Sequence, residues 1–316
     1  MKGERDIMKF NKLKSAVLLA CILTICALQC GECLAAATEE ITVIAYRVEP
    51  PKSELRAKPS YFVGTFSLSS NREFVLPRKI LDSLASCEVA VFQTRNIAGG
   101  MDQETLHERL MLNYDLNKLY SPEILDILTK KCKEANIELE VTPLKPWSIF
   151  FILIGLAKKD EPSYSIGKNL YRTARELKKK ITYLEFDDAY IYDRIPLEIQ
   201  VGQVELAATN MKSITELIKK IEELYQRGDI DALTKASRFN STDSRCARME
   251  LLWNTITIDG RIDSFFQLIE KHLSSGGAFI TLSVEMLPGE NGILARLRAK
   301  GYTITDASII NGKQKK

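Results

Sequence analysis

Apolar residues along this chain recur in two rhythms, and the elements they predict alternate. Ile41 to Arg47 and Tyr61 to Leu68 read as strands, the second with an aromatic and β-branched start before Gly64. Leu76-Pro77 opens a helix through Ala85 with Ile80, Leu81 and Leu84 on one face. Val89 to Phe92 is a short apolar run of the kind buried inside a sheet. Two helices are expected over 101–135, the second with Ser121 as N-cap and Pro122 at its first position, and then a strand from Ile137 to Val141.

Trp147 to Ala157 is apolar at nearly every position. Its 11 residues are far short of the roughly 20 that span a bilayer, so it reads as a buried helix, with an exposed lid over a groove as the functional alternative. Lys168 to Lys180 reads as a polar helix and Ile181 to Glu185 as a strand. Ser213-Ile214-Thr215-Glu216 has the form of a capping box opening a helix. Its apolar stripe is Ile214, Leu217, Ile218, Ile221, Leu224 and Tyr225, and Gly228 is placed to end it. A helix from Arg261 to Leu273 stops at Gly276-Gly277. A strand from Ala278 to Val284, a Pro288-Gly289 turn, a helix from Ile293 to Ala299 and a strand from Tyr302 to Thr305 complete the chain. Strands at both ends and helices between them predict an α/β fold, a mixed central sheet with flanking helices and a largely helical middle over 100–260.

The first 37 residues stand apart from this pattern. Lys9, Lys12 and Lys14 precede an apolar stretch from Ala16 to Leu28, and Ala35-Ala36-Ala37 offers a small-residue cleavage site. The expectation is a signal peptide over 1–37, a single domain over 38–316 and a periplasmic or secreted location with no membrane span after cleavage. Met8 starts a more typical leader than Met1. Loss of the leader takes the chain from 44 basic and 41 acidic residues to 39 and 38, a net charge of +1. No field of one sign remains to attract nucleic acid. Lys178-Lys179-Lys180 and the terminal Lys313, Lys315 and Lys316 read as solvated charge. Three of the seven cysteines stay, Cys87, Cys132 and Cys246, and Cys87 reads as an inert core thiol.

The motifs supply the sharper information. Gly64-Thr65-Phe66-Ser67, Val89-Ala90-Val91-Phe92-Gln93 and Ser283-Val284-Glu285-Met286-Leu287-Pro288-Gly289 stand in that order, with Leu144-Lys145-Pro146-Trp147, Leu184-Glu185 and Arg227-Gly228-Asp229 between them. Together they resemble the TraB/GumN family, relatives of the Tiki metalloproteases, over Tyr61 to about Thr305. The resemblance implies a mixed α/β fold of the Tiki and erythromycin-esterase-like type. It also implies a hydrolase in whose active members two histidines and carboxylates hold a divalent metal. In this chain the two histidine positions are Ser67 and Met286, and the glutamate position is Gln93. Glu185 and Arg261 align with polar residues of the family site, as possible remnants of it; the alternatives are a strand-end charge for Glu185 and a solvated first-turn residue for Arg261.

Ser67 keeps its proton near neutral pH, Gln93 offers an uncharged oxygen, and Met286 offers a thioether that hard ions bind weakly. No catalytic residue is therefore assigned, and no metal or cofactor is expected. The chain has two histidines, His107 and His272, both on predicted helices, and His272 near a C-terminus where the helix dipole favours an imidazolium. Glu285, one residue before Met286 on the predicted strand, is expected to point away from it. No nucleophile elbow or phosphate-binding loop is present.

The leading expectation is an exported, catalytically degenerate metallohydrolase that holds a peptide or small molecule in the old cleft as a binding or regulatory module. The alternative is an active hydrolase with relocated carboxylate ligands from Glu185, Glu285, Asp187 and Asp188. Such a site would take a divalent ion such as manganese or cobalt, calcium or magnesium being suited to an all-oxygen donor set. A third is an envelope protein docking through Trp147 to Ala157.

Overall fold

The computed structural model describes residues 39–51, 58–69, 74–95, 115–135, 144–157, 163–185, 189–237, 251–252, 254–310 and 313–314. The leader, the first helix expected over 101–135, the strand at Ile137 to Val141, His107, Asp187, Asp188 and Cys246 lie outside them. Residues 40–316 form one compact unit.

A six-stranded mixed sheet organises this unit. Its strands are β1 (Ile44–Glu49), β2 (Ser60–Thr65), β4 (Val89–Thr94), β6 (Lys180–Glu185), β7 (Ala278–Ser283) and β8 (Thr303–Asp306), in the spatial order β8-β1-β2-β7-β4-β6. The short β3 (Ser67–Ser69) and β5 (Ser163–Ser165) pair with each other outside it. β2, β7, β4 and β6 run parallel, and β1 and β8 add antiparallel at one edge. The parallel strands are the apolar runs: Phe62, Val63, Ala90, Val91, Phe92, Phe279, Ile280 and Leu282 are all buried. That is the pattern of strands covered on both faces.

Helix α1 (Arg78–Ser86) leads from the β2 region to β4, and α4 (Ile166–Glu176) leads into β6. The middle region is helical: α2 (Pro122–Glu134), α3 (Pro146–Ala157), α5 (Ala189–Asp193), α6 (Leu197–Thr209), α7 (Met211–Arg227) and α8 (Ile230–Ser237). Helix α9 (Gly260–Ser275) precedes β7, and α10 (Ile293–Ala299) links β7 to β8. A second apolar cluster in the middle region includes Leu128, Ile149, Leu153 and Val204 from α2, α3 and α6. Among the described residues no helix is long and apolar enough to cross a membrane.

Several local signals are met as expected. Ser121 accepts a hydrogen bond from the Ile124 amide with Pro122 at the first helical position. Gly228 ends α7 in the left-handed conformation at φ 70°, where a side chain is strained. Cys87 and Cys132 are buried free thiols, each pushed up to about 11 by burial.

Others differ for physical reasons. The strand expected over Tyr61 to Leu68 breaks at Phe66, and β3 leaves the main sheet to pair with β5. The capping box at Ser213 does not cap: α7 begins at Met211, because Asn210 closes α6 and opens α7 at once and its carbonyl accepts from the Ile214 amide. The polar helix ends at Glu176, with Lys178 in a left-handed turn at φ 53°. Lys179 is not simply solvated. Its ammonium donates to the carbonyls of Ala85 and Cys87, tying the entry of β6 to the end of α1. His272 is half-buried, and burial, with the charges of Lys271 and Lys180, holds it below the ordinary imidazole value. Burial and those two cations oppose the helix-dipole effect expected there.

Candidate functional site

The motif positions converge at the C-terminal ends of three adjacent parallel strands. Thr65 at the end of β2 is level with Ser283 at the end of β7, and Gln93 lies near the end of β4 on the other side of β7. Ligands of open α/β sheets bind at this edge. The backbone just beyond β7 decides the site. The strand stops at Ser283, and Val284–Met286 form a single 3-10 turn. The expectation that Glu285 points away from Met286 rested on strand alternation. The helical turn removes that alternation, and both side chains line the same cleft.

Glycine at position 64 makes the turn possible. A Cβ there would stand 2.9 Å from Val284 Cγ2 and 3.1 Å from Leu287 Cδ1, so the motif glycine lets the turn pack against β2. A Cβ on Gly292 would lie 2.0 Å from the Pro288 carbonyl oxygen, which explains the second glycine of the Leu287–Leu294 block in the same way. Tyr225, fully buried on α7, donates its hydroxyl to the Gly64 carbonyl at 2.8 Å and stacks on Phe66 with centroids 5.2 Å apart. The helical region is thereby locked to the sheet beside the cleft.

The cleft has a volume of about 320 Å³. Phe150, Phe151 and Ile154 of α3 form one apolar wall, and Ile214, Leu217, Ile218 and Ile221 of α7 another. Of the apolar α7 stripe, Ile214 and Tyr225 are buried, while Leu217, Ile218 and Ile221 are half-buried and face this space. Helix α3 is buried along Trp147, Ser148, Ile149 and Leu153, as the apolar run predicts, while its other side lines the cleft.

Polar groups gather where the π-turn Thr255–Asp259 packs on the 3-10 turn: Asn254, Thr257, Arg261 and Glu285. Arg261 is not a solvated first-turn residue. It is 5% exposed, and its guanidinium carbon lies 5.3 Å from the ring centroid of Tyr192, a cation–π contact. The intact Leu144–Trp147 block holds that ring. Trp147 stacks on Tyr192 at 5.3 Å, and its indole N–H donates to Asp193 Oδ1 at 2.9 Å. The Lys145 ammonium reaches Asp193 Oδ2 at 2.7 Å, and the Gln200 amide oxygen accepts from the Trp147 backbone N–H.

Ser67 is half-buried on β3, paired with β5, and does not line the cleft. Gln93 does not line it either; its amide oxygen accepts from the Ser283 backbone N–H at 2.8 Å. Met286 is 1% exposed and does line it. Glu185 ends β6 opposite Thr94, and its side chain lies outside the described residues. Among the described residues no three His, Cys, Asp or Glu side chains gather as a metal-holding group. Sequence reasoning gave no site role to Tyr192, Tyr225 or Phe66. A polar-tipped aromatic on an apolar stripe was the available signal for Tyr225; nothing local marked Tyr192.

Burial pushes the Glu285 carboxyl above the ordinary glutamate range, opposed by its own backbone N–H, the Arg261 charge and the Ser283 hydroxyl. A folded-state value raised above the unfolded one contributes stability that is fully present below the unfolded value of about 4.5 and is lost as pH rises through the folded value. Glu285→Gln, which cannot ionise, is therefore expected to gain in melting temperature relative to the parent chain as pH is raised from 4.5 to 8. Parallel melting curves across that range check it; a constant difference would count against the carboxyl as the titrating group.

No curated protein and no solved structure matches the chain. The model of the TraB/PrgY/gumN family matches residues 48–306, most of the chain and five of the six strands of the sheet in full, and the chain belongs to that family.

Proposed function

We propose that this protein is an exported, catalytically degenerate member of the family that uses its cleft as a binding or regulatory module in the cell envelope. The observation that carries the reading is the fate of the three motif positions. The Gln93 oxygen is engaged by the Ser283 N–H, Met286 offers a buried thioether, and Ser67 sits on a strand beside the cleft rather than in it. A hydroxyl, an engaged amide oxygen and a thioether do not fit a divalent ion that must activate water. The cleft they border is mainly apolar and takes a ligand by shape and burial.

The test is metal binding by residues 38–316, measured by thermal shift with manganese, cobalt, zinc and calcium. A Ser67→His/Gln93→Glu/Met286→His variant serves as the reference. A bound ion raises stability by about 2.7 kcal/mol at a hundredfold excess over Kd. The natural chain is expected to show no shift. A shift in the natural chain, with chelator-sensitive hydrolysis, would return the chain to the active hydrolases with relocated carboxylates.

A further inference from the structure

We propose that a second cavity, apart from the cleft, binds a small zwitterion of the amino-acid class, its carboxylate on Arg298 and its ammonium on Asp231 beside the hydroxyl of Tyr46. The cavity has a volume of about 300 Å³. It lies where two of the motif turns meet, Arg227-Gly228-Asp229 ahead of α8 and Leu287-Pro288-Gly289 ahead of α10. It shares no lining residue with the cleft, so the inference stands whether or not the cleft retains chemistry.

Tyr46 is the anomaly there. It lies on β1, is 8% exposed and lines the cavity, and its hydroxyl makes no hydrogen bond with a described residue. Buried polar side chains are ordinarily paired, so this hydroxyl is one that a ligand can complete. The buried Tyr225 shows the ordinary case, with its hydroxyl given to the Gly64 carbonyl. Burial holds the Tyr46 phenol above its ordinary value, Asp306 and Asp231 add to the effect and Arg298 opposes it, which puts the hydroxyl among the charges of the cavity wall.

Those charges select the ligand class. Arg296 and Lys300, on either side of Arg298, pair with Asp263 and Glu270. Arg298 and Asp231 are exposed, line the same cavity and make no ion pair among the described residues, with each other included. A cation and a carboxylate that face one space without closing on each other suit a molecule that bears both charges. A simple anion would meet Asp229 and Asp231, and a simple cation would meet Arg298. The guanidinium fork takes a carboxylate through two parallel hydrogen bonds, and an ammonium has three donors to divide between Asp231 and Tyr46. Asp229 is engaged in shaping the turn, its Oδ1 accepting from the Ala232 amide. A cavity at the small end of ligand sites, with a mainly polar lining, favours a free amino acid over a longer peptide or a hydrocarbon.

Titration calorimetry on the full chain at low salt tests this, with alanine, whose charges are adjacent, and 4-aminobutanoate, whose charges stand further apart. Saturable one-site binding by at least one of them is expected. The matching single-charge compounds, alaninamide and N-acetylalanine or butylamine and butyrate, are expected to bind weaker by roughly tenfold or more. Arg298→Gln and Asp231→Asn are each expected to weaken the zwitterion by roughly tenfold, and Tyr46→Phe by roughly threefold. Arg298 and Asp231 are exposed and outside any ion pair among the described residues, so unchanged melting curves are expected to show that both variants fold. Ile218→Trp, which fills the separate cleft, is expected to leave the affinity as it is. No binding by either zwitterion would overturn the proposal, as would equal binding of a single-charge compound. Unchanged affinity in any of the three cavity variants, or a loss in Ile218→Trp, would do the same, and none of these outcomes bears on whether the cleft is degenerate.

Discussion

Replacing Trp147 with alanine is expected to cost about 3–5 kcal/mol, the range for deleting a fully buried large aromatic. The indole is 1% exposed, stacks on Tyr192 and donates to Asp193. Two effects add. The removed atoms leave a cavity in the helical region, and Asp193 loses the indole N–H on Oδ1, keeping only the Lys145 ammonium on Oδ2. Trp147→Phe separates them. It keeps a ring against Tyr192, gives up a smaller part of the packing and loses the hydrogen bond to a charged acceptor, the last a cost of about 1.5–3 kcal/mol. Urea unfolding of both variants measures this, with the midpoint falling further for alanine and the slope unchanged. Equal losses would mean that the indole N–H, rather than packing, carries the whole contribution. Because Tyr192 supports Arg261 at 5.3 Å, the alanine variant is also expected to loosen the charged end of the cleft, and the phenylalanine variant to spare it.

Gly64→Ala is expected to destabilise the protein by about 1–3 kcal/mol, the usual cost of forcing a methyl into a packed core. Here the methyl meets Val284 Cγ2 at 2.9 Å and Leu287 Cδ1 at 3.1 Å, both on fully buried residues. The backbone at Gly64 is ordinary strand, so crowding and not strain sets the cost. A double variant, Gly64→Ala/Val284→Ala, makes that distinction measurable. If crowding is the cause, the pair is less destabilised than the sum of the single changes, with a coupling of at least about 0.5 kcal/mol, the level seen for residues in contact. Additive losses would point to some other origin. Since Val284 begins the turn that carries Glu285 and Met286, the single variant is also expected to disturb the cleft.

How much of the fold was legible in the sequence varies element by element. The parallel strands were readable because continuous apolar runs such as Val89–Phe92 have no other comfortable place than a covered sheet. The ends of α2 and α7 were readable because Ser121-Pro122 and Gly228 act locally. The start of α7 was not: Ser213 and Glu216 make a plausible cap in isolation, but the preceding helix runs straight into Asn210 and leaves no free first turn at Ser213. Lys179 looked like solvent-facing charge because its partners, the carbonyls of Ala85 and Cys87, are more than ninety residues away in sequence.

The site divides the same way. The motif positions named from the sequence lie within the residues that the family model matches. That Ser67, Gln93 and Met286 stand at those motif positions is likewise a property of the sequence. Only the tertiary structure decided what those positions do now. Whether Glu285 faces the cleft depends on β7 ending at Ser283, and that depends on a turn packing against a glycine more than 200 residues earlier. Arg261 reads as a surface residue on its own helix and becomes a buried cleft cation because Trp147 and Tyr192, from two other helices, build the floor beneath it. Periodicity reports which side of an element is apolar; it carries no information about which distant element that side will meet.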